Sequence, residues 1–378
     1  MIVRFVKMVY LDNAATTKVY KEVIEEMNSA LSEVYGNPSS IHEKGHEALQ
    51  LMDDSRNVLA KEINCSPDEI IFTSCGTESN NLALNFLEKG DHLITTIIEH
   101  PCVYEKAKEL ESKGVEVTYL KVDNEGFVDL NELKSSIKKN TKLVSIIHGN
   151  NEMGTIQDLK EIGLICKKNN VLFHSDCVQS LKKLKLDMKE FNLSMASFSA
   201  HKIHGPKGIG ALYVKKGIKL KPLLYGGGQE KNIRSGTENV PGIVGFKKAL
   251  ELEYPSEKIK ELRDYFISEI EKKVEDVVLN GSRDKRLCNN ANISFKRIEG
   301  EAILMSLDME GIYVSTGSAC SSRYLKASRV LLAMGKDHET AHGSIRFTFS
   351  KENTKKEVNY TIEKIVEIVN RLRNISAL

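Results

Sequence analysis

The sequence has no CxxC pair among its seven cysteines, and the odd count is spread over Cys65, Cys75, Cys102, Cys166, Cys177, Cys288 and Cys320. A structural zinc site and a disulfide framework are therefore not expected, and no metal is assigned. Most of these thiols read as small, reduced core residues. The chain also lacks an excess of charge: 54 basic and 52 acidic residues leave a formal +2, with the two signs interspersed. Nothing in that balance points to a direct nucleic-acid partner or an anionic membrane. No apolar run approaches the roughly 20 residues that span a bilayer. Met1 to Met8 carries Arg4 and Lys7 but no apolar h-region or small-residue cleavage site. No signal peptide is expected, and the cytoplasm is the expected compartment. Internal repeats and low-complexity segments are absent too.

What is present is alternation. Helical spacing over Val19 to Leu31 and Leu49 to Leu59 gives way to short apolar runs of strand length. These runs are Glu69 to Phe72, His92 to Ile98, Val115 to Leu120, Lys142 to Ile147, Val171 to Phe173, Met195 to Phe198 and Ile209 to Val214. Helical patterns over Ser79 to Leu87, Tyr104 to Leu110 and Leu159 to Lys167 separate several of them. Strands interleaved with helices predict an α/β fold with a large, mostly parallel sheet covered on both faces. Ligands of such folds gather at the carboxyl ends of the strands. After Gly226-Gly227-Gly228 a long helical pattern runs from about Val240 to Lys273, interrupted near Pro255, where a domain boundary is expected. The remainder reads as a smaller α+β domain with strands at 292–295 and 343–349 and a last helix from Lys355 to Leu372.

Several polar residues follow directly on the apolar runs. Lys202 stands where Met195 to Phe198 passes into a glycine-rich turn, with its backbone fixed and its amine open. Taken singly it reads as a solvated or phosphate-binding lysine. Desolvated or set near other cations, it can form a Schiff base with a carbonyl. The stretch Thr73 to Asn81 has small residues at a helix start, which is ordinary capping or an anion site. Asp176 ends a buried strand as a cap, a salt-bridge partner or the counter-charge of a ring nitrogen, and Gln179 follows it. His100 is a structural histidine or a stacking, proton-moving one. Asn150 to Gly154 reads as a turn. Together they supply an anion cup, an acid for a ring nitrogen, a stacking imidazole, amide donors and a Schiff-base lysine. Those are the parts that hold pyridoxal phosphate.

At that level of detail the chain resembles the cysteine desulfurases of the NifS/IscS type, in the class V aminotransferase family of fold type I pyridoxal-phosphate enzymes. The resemblance runs nearly end to end. It is carried by Tyr10-Leu11-Asp12-Asn13-Ala14-Ala15-Thr16-Thr17, Gly36-Asn37-Pro38-Ser39-Ser40-Ile41-His42 and Thr77-Glu78-Ser79-Asn80-Asn81. It continues through Asn150-Asn151-Glu152-Met153-Gly154, Ser199-Ala200-His201-Lys202, Arg234-Ser235-Gly236-Thr237-Glu238-Asn239 and Ser315 to Ser322. It implies a large cofactor domain over residues 15–254 and a small domain over 1–14 and 255–378 that carries a catalytic cysteine loop. In it Lys202 binds the cofactor covalently, Asp176 pairs with the ring nitrogen, and Gln179 and Asn151 lie near the ring's phenolic oxygen. His100 stacks on the ring as acid or base. Gly76, Thr77, Ser199 and His201 hold the phosphate, with Thr237 supplied by the partner of a homodimer. Arg346 grips the substrate carboxylate with a bidentate fork, and Asn37 lies near the substrate.

Cys320 sets the reaction that the resemblance implies. Its neighbours Ser315, Gly317, Ser318, Ala319 and Ser321 have the composition of an exposed loop rather than a core. L-cysteine would become L-alanine and leave a persulfide on Cys320. The length of the loop favours passing sulfur to a protein acceptor, an iron–sulfur scaffold or a tRNA-thiolation enzyme. A selenocysteine lyase and an aminotransferase on the same fold are the alternatives. Cys75 and Cys177 depart from the family pattern near the expected cofactor, where they are expected to fill space.

Overall fold

The computed structural model describes residues 8–316 and 327–375. Its centre is a seven-stranded sheet in the order Ile70–Thr73, Gly210–Val214, Met195–Ser199, Leu172–Asp176, Thr141–Ser145, His92–Thr96, Glu116–Leu120. Gly210–Val214 runs antiparallel to both of its neighbours. The other six strands point the same way. Four of the seven are buried at every residue. That burial explains why they read in sequence as continuous apolar runs rather than as alternating ones.

Helices cover both faces. Lys21–Glu33, Glu43–Glu62, Leu159–Lys168 and Val240–Glu251 send Val23, Leu59, Ile162, Ile243 and Phe246 into one apolar cluster with Phe72, Phe173 and Phe198. Gly76–Leu84 and Pro101–Ser112 bury Leu82, Val103 and Ala107 against Leu93, Leu143 and Leu212 in another. The helical pattern expected around Pro255 is two helices, Val240–Glu251 and Ser256–Lys273, with Pro255 as the N-cap of the second.

A second sheet of four strands follows the order Ser315–Thr316, Ser344–Thr348, Asn290–Phe295, Val277–Asn280, antiparallel throughout. Its core joins Ile293, Phe295, Phe347 and Phe349 to Phe266 of Ser256–Lys273 and Ile362 of Lys355–Ile375. The amino-terminal Val9 and Leu11 belong to this cluster. Val9–Tyr10 pairs in parallel with Ile312–Tyr313. Beyond that pair the chain crosses to the large sheet. The Asn13 amide donates to the Thr348 carbonyl at 2.7 Å, and the Ala14 N–H donates to Thr348 Oγ1 at 2.8 Å. Among the described residues no helix is long and apolar enough to cross a membrane.

Candidate active site

The carboxyl ends of five of the six co-directional strands open on one cavity of about 380 Å³. Its lining includes Gly76, Thr77, His100, Asn151, Asp176, Gln179, Ser199, His201, Lys202 and Arg346. These are ten of the residues expected from sequence to serve one site. Asn37 and Thr237 are not part of this lining. Asn37 is exposed, and its Oδ1 accepts the Ser39 N–H at 2.9 Å in a local turn. Thr237 is exposed on a segment anchored by Arg234, whose Nε donates to Glu78 Oε1 at 2.9 Å. Cys320 lies outside the described residues.

Lys202 ends a 3₁₀ turn, Ala200–Lys202, set directly on the last residue of Met195–Ser199. Its ammonium donates to the Ala14 and Ala15 carbonyls at 2.7 and 2.6 Å. The Asp12 to Thr17 segment thus serves as the amine's cradle. Behind it the buried Lys183 donates to the Lys202 carbonyl at 3.3 Å, and burial brings the Lys183 amine down to about 8.

Asp176 is the last residue of Leu172–Asp176 and is buried. Its carboxylate accepts the Val178 N–H at 3.0 Å and the Asn80 amide at 2.8 Å. Both bonds fix the carboxylate's orientation at the strand end. His100 is the N-cap of Pro101–Ser112, with Pro101 at the first helical position as its fixed φ allows. Burial pulls the imidazole below its usual pKa, opposed by Asp176 and assisted by Lys202, Arg329 and Arg346. His201 is brought down to about 3, first by burial and then by Lys202, Lys207 and Lys183. Its ring is therefore a neutral hydrogen-bonding group at neutral pH, and Nδ1 lies 3.1 Å from Thr16 Oγ1.

The anion cup is the N-terminus of Gly76–Leu84, capped by Cys75 Sγ, which accepts the Glu78 N–H at 3.5 Å. The first N–H groups of a helix have no intrahelical partner and favour a negative guest. Cys177 is fully buried in the core beside Asp176 and does not line the cavity, so it fills space. Cys75 does line it, as the cap of the cup.

Four buried polar atoms on this lining have no hydrogen-bond partner among the described residues: Asn80 Oδ1, Ser199 Oγ, Gln179 Oε1 and Arg346 Nε. Buried polar groups are rarely left unpaired. Here two amide oxygens, one hydroxyl and one guanidinium nitrogen are left to a guest that carries both hydrogen-bond donors and anionic acceptors. Arg346 already holds Asp12 Oδ1 at 2.9 Å and the Asn151 carbonyl at 3.0 Å, which aims its fork.

The cup also depends on the absence of a side chain at Gly76. A Cβ there would lie 2.8 Å from Val178 Cγ2 and 3.6 Å from Ser199 Cβ. Gly76→Ala is expected to push Val178 into the cavity. Overpacking of about 1–3 kcal/mol corresponds to about ten- to hundredfold weaker retention of a phosphorylated cofactor. Titration of the cofactor-free variant, read by absorbance, measures that loss; unchanged affinity would remove Gly76 from the cup.

Sequence reasoning missed Cys102, Asn80 and Glu152 as members of the lining. Asn80 and Glu152 lie inside Thr77 to Asn81 and Asn150 to Gly154, and Cys102 reads in sequence as a core thiol. The signal for Cys102 was its place two residues beyond His100, at the start of the same helix.

The aminotransferase class-V family model matches residues 9–361. A cysteine desulfurase IscS of Dictyoglomus turgidum is 50% identical, over 97% of this chain and 96% of its own. A solved NifS-like protein superposes with a TM-score of 0.90 at 42% identity, covering 97% of this chain and 100% of its own. A solved structure of SspA in complex with cysteine gives a TM-score of 0.83 at 35% identity, over 92% and 100% of the two chains.

Proposed function

This chain belongs to the aminotransferase class-V family and is a pyridoxal-phosphate-dependent cysteine desulfurase, and from that premise we propose how its own residues divide the work. The observation that carries the division is the convergence of Lys202, Asp176, His100 and the Gly76 helix N-terminus on one cavity. Pyridoxal phosphate, when bound, supplies a carbonyl carbon that takes up an amine and a conjugated ring that accepts the electron pair left at an α-carbon.

Gly76 and Thr77 at the helix start, Ser199 and His201 hold the phosphate. The Asp176 carboxylate holds a proton on the ring nitrogen by charge, and Asn80 and Val178 keep it in place. Gln179 and Asn151 face the ring's oxygen substituent. Lys202 presents its amine from the Ala14 and Ala15 carbonyls. His100, neutral at the working pH, accepts and returns a proton. Arg346 turns its fork to the carboxylate of L-cysteine, and Asn37 helps to position that substrate.

Cys320 attacks the sulfur of L-cysteine. A sulfur–sulfur bond forms as the carbon–sulfur bond breaks, and the α-amino acid leaves as L-alanine with one proton taken up at its β-carbon. The thiol becomes a persulfide, so the exchange is balanced as thiol plus cysteine to persulfide plus alanine. The outer sulfur is then passed to an acceptor protein, an iron–sulfur scaffold or a tRNA-thiolation enzyme. The SspA relative solved with cysteine supports the substrate. We further infer a cytoplasmic homodimer in which Thr237 reaches the partner's phosphate cup. Its exposure on a segment tied by Arg234 to Glu78 supports that reading. The second apolar core, which includes Val9, Leu11 and Ile259, supports a division into residues 15–254 and residues 1–14 with 255–378.

The deciding experiment is the balance of products. Incubation of the cofactor-loaded protein with L-cysteine and a reductant is expected to yield alanine and sulfide in equal amounts. A keto acid in place of alanine would make it an aminotransferase. Turnover of selenocysteine with none of cysteine would make it a lyase for the selenium substrate.

A further inference from the structure

The helix start that carries His100 also carries Cys102, and the two side chains meet. Cys102 Sγ lies 2.9 Å from His100 Nδ1. The Cys102 backbone N–H donates to the same nitrogen at 3.2 Å. Nδ1 is therefore an acceptor and carries no proton, which places the ring proton on Nε2. The thiol's own state follows from its surroundings. Burial raises its pKa well above the ordinary thiol value, and the nearby Asp176 and Glu99 charges add to the rise. A thiol that keeps its proton donates it to Nδ1. The sulfur in turn accepts the Asn80 amide at 3.1 Å. The same Asn80 nitrogen donates to Asp176 Oδ2 at 2.8 Å, and Asn80 is buried. The hydrogen bonds thus run in one sense, from Asn80 to Cys102 and from Cys102 to His100, with Asp176 held at the other end.

We propose that Cys102 is a positioning residue for His100, holding the imidazole as the Nε2–H tautomer through its thiol and backbone N–H on Nδ1 and tying it through Asn80 to Asp176. The inference rests on the reading of His100 as the group that handles a proton. It adds that the histidine does not set its own tautomer. A thiol donor on Nδ1 stabilises the neutral ring, because protonation there would remove the lone pair that the thiol uses. It acts alongside the groups that already face His100. Lys202, Arg329 and Arg346 favour the neutral ring, and Asp176 favours the cation.

The test compares Cys102→Ala with Cys102→Ser in the full chain, with the cofactor bound and again after its removal. Histidine is labelled with ¹⁵N, and the His100 signals are identified by their loss in His100→Gln. In Cys102→Ala the backbone N–H still donates to Nδ1, and the His100 pKa is expected to rise by about half to one pH unit, the worth of the one lost thiol hydrogen bond. The acidic limb of kcat/KM for cysteine is expected to move up by the same amount. Cys102→Ser, which keeps one donor and one acceptor, is expected to restore both. An unchanged His100 pKa in Cys102→Ala would overturn the proposal, whatever happens to the melting temperature. A shifted His100 pKa with an unmoved kcat/KM profile would uphold the positioning and remove His100 from the reaction, so the two failures are distinct.

Discussion

Lys202→Ala is expected to leave a folded protein that loses the yellow absorbance of a lysine-bound pyridoxal cofactor and loses cysteine turnover by at least about a thousandfold. The structural side of this expectation is modest. The Ala14 carbonyl that loses the Lys202 ammonium still accepts the Gln179 amide at 2.9 Å. The Ala15 carbonyl is part of a half-buried segment that water can reach. The chemical loss is large because Lys202 Nζ is the primary amine on the cavity lining. The phosphate cup, Asp176 and His100 remain, so the variant should still take up the cofactor without a covalent bond. Absorbance before and after gel filtration in denaturant separates the two modes, since a covalent link reduced with borohydride survives unfolding. Retention of a reducible link in Lys202→Ala would place the covalent residue elsewhere. Normal colour with normal turnover would sink the assignment altogether.

Much of this site was legible because each key residue marks a change in local pattern. Asp176 and Lys202 stand where a buried apolar run turns polar, and a buried strand has few reasons to end on a charge. Gly76 and Thr77 stand where a strand turns into a helix, which places backbone N–H groups at the sheet edge. Strand limits shifted by a residue or two; the run expected over Glu69 to Phe72 is Ile70–Thr73. Apolar content alone does not say which residues close the hydrogen-bonded ladder.

Three features were beyond a local pattern. The reversed direction of Gly210–Val214 leaves its burial unchanged, so nothing in its own residues distinguishes it from its neighbours. The pairing of Val9–Tyr10 with Ile312–Tyr313 joins segments that only the finished fold brings together. Cys102 presents the same difficulty on a smaller scale. A small buried thiol is ordinary core until the helix start turns its sulfur toward the imidazole two residues earlier. Its role depends on Asn80, from a different helix, and on Asp176, from a strand.

Cys320→Ser is expected to keep the cofactor and abolish sulfur transfer, with alanine and sulfide release falling by at least about a thousandfold. The cavity is lined by residues between Ala14 and Lys202 together with Arg346, so loading, colour and the anion cup should be unaffected. A serine hydroxyl at that position remains protonated at neutral pH and is a poor nucleophile toward sulfur, whereas a thiol has an accessible thiolate. Without an acceptor for the sulfur, the carbon–sulfur bond of cysteine has no partner step to complete its cleavage. The variant should still bind L-cysteine and perturb the cofactor spectrum, because Arg346 and Lys202 are intact. Mass spectrometry after a single exposure to cysteine without reductant makes the comparison direct. The unaltered chain should gain one sulfur atom on the peptide containing Cys320, and Cys320→Ser should gain none. An aminotransferase would be indifferent to this substitution, and a lyase that expels its chalcogen directly would be nearly so. Undiminished alanine release from Cys320→Ser would therefore reject the persulfide route while leaving the cofactor assignment in place, and a sulfur gained on Cys75 or Cys102 instead would move the acceptor into the cavity itself.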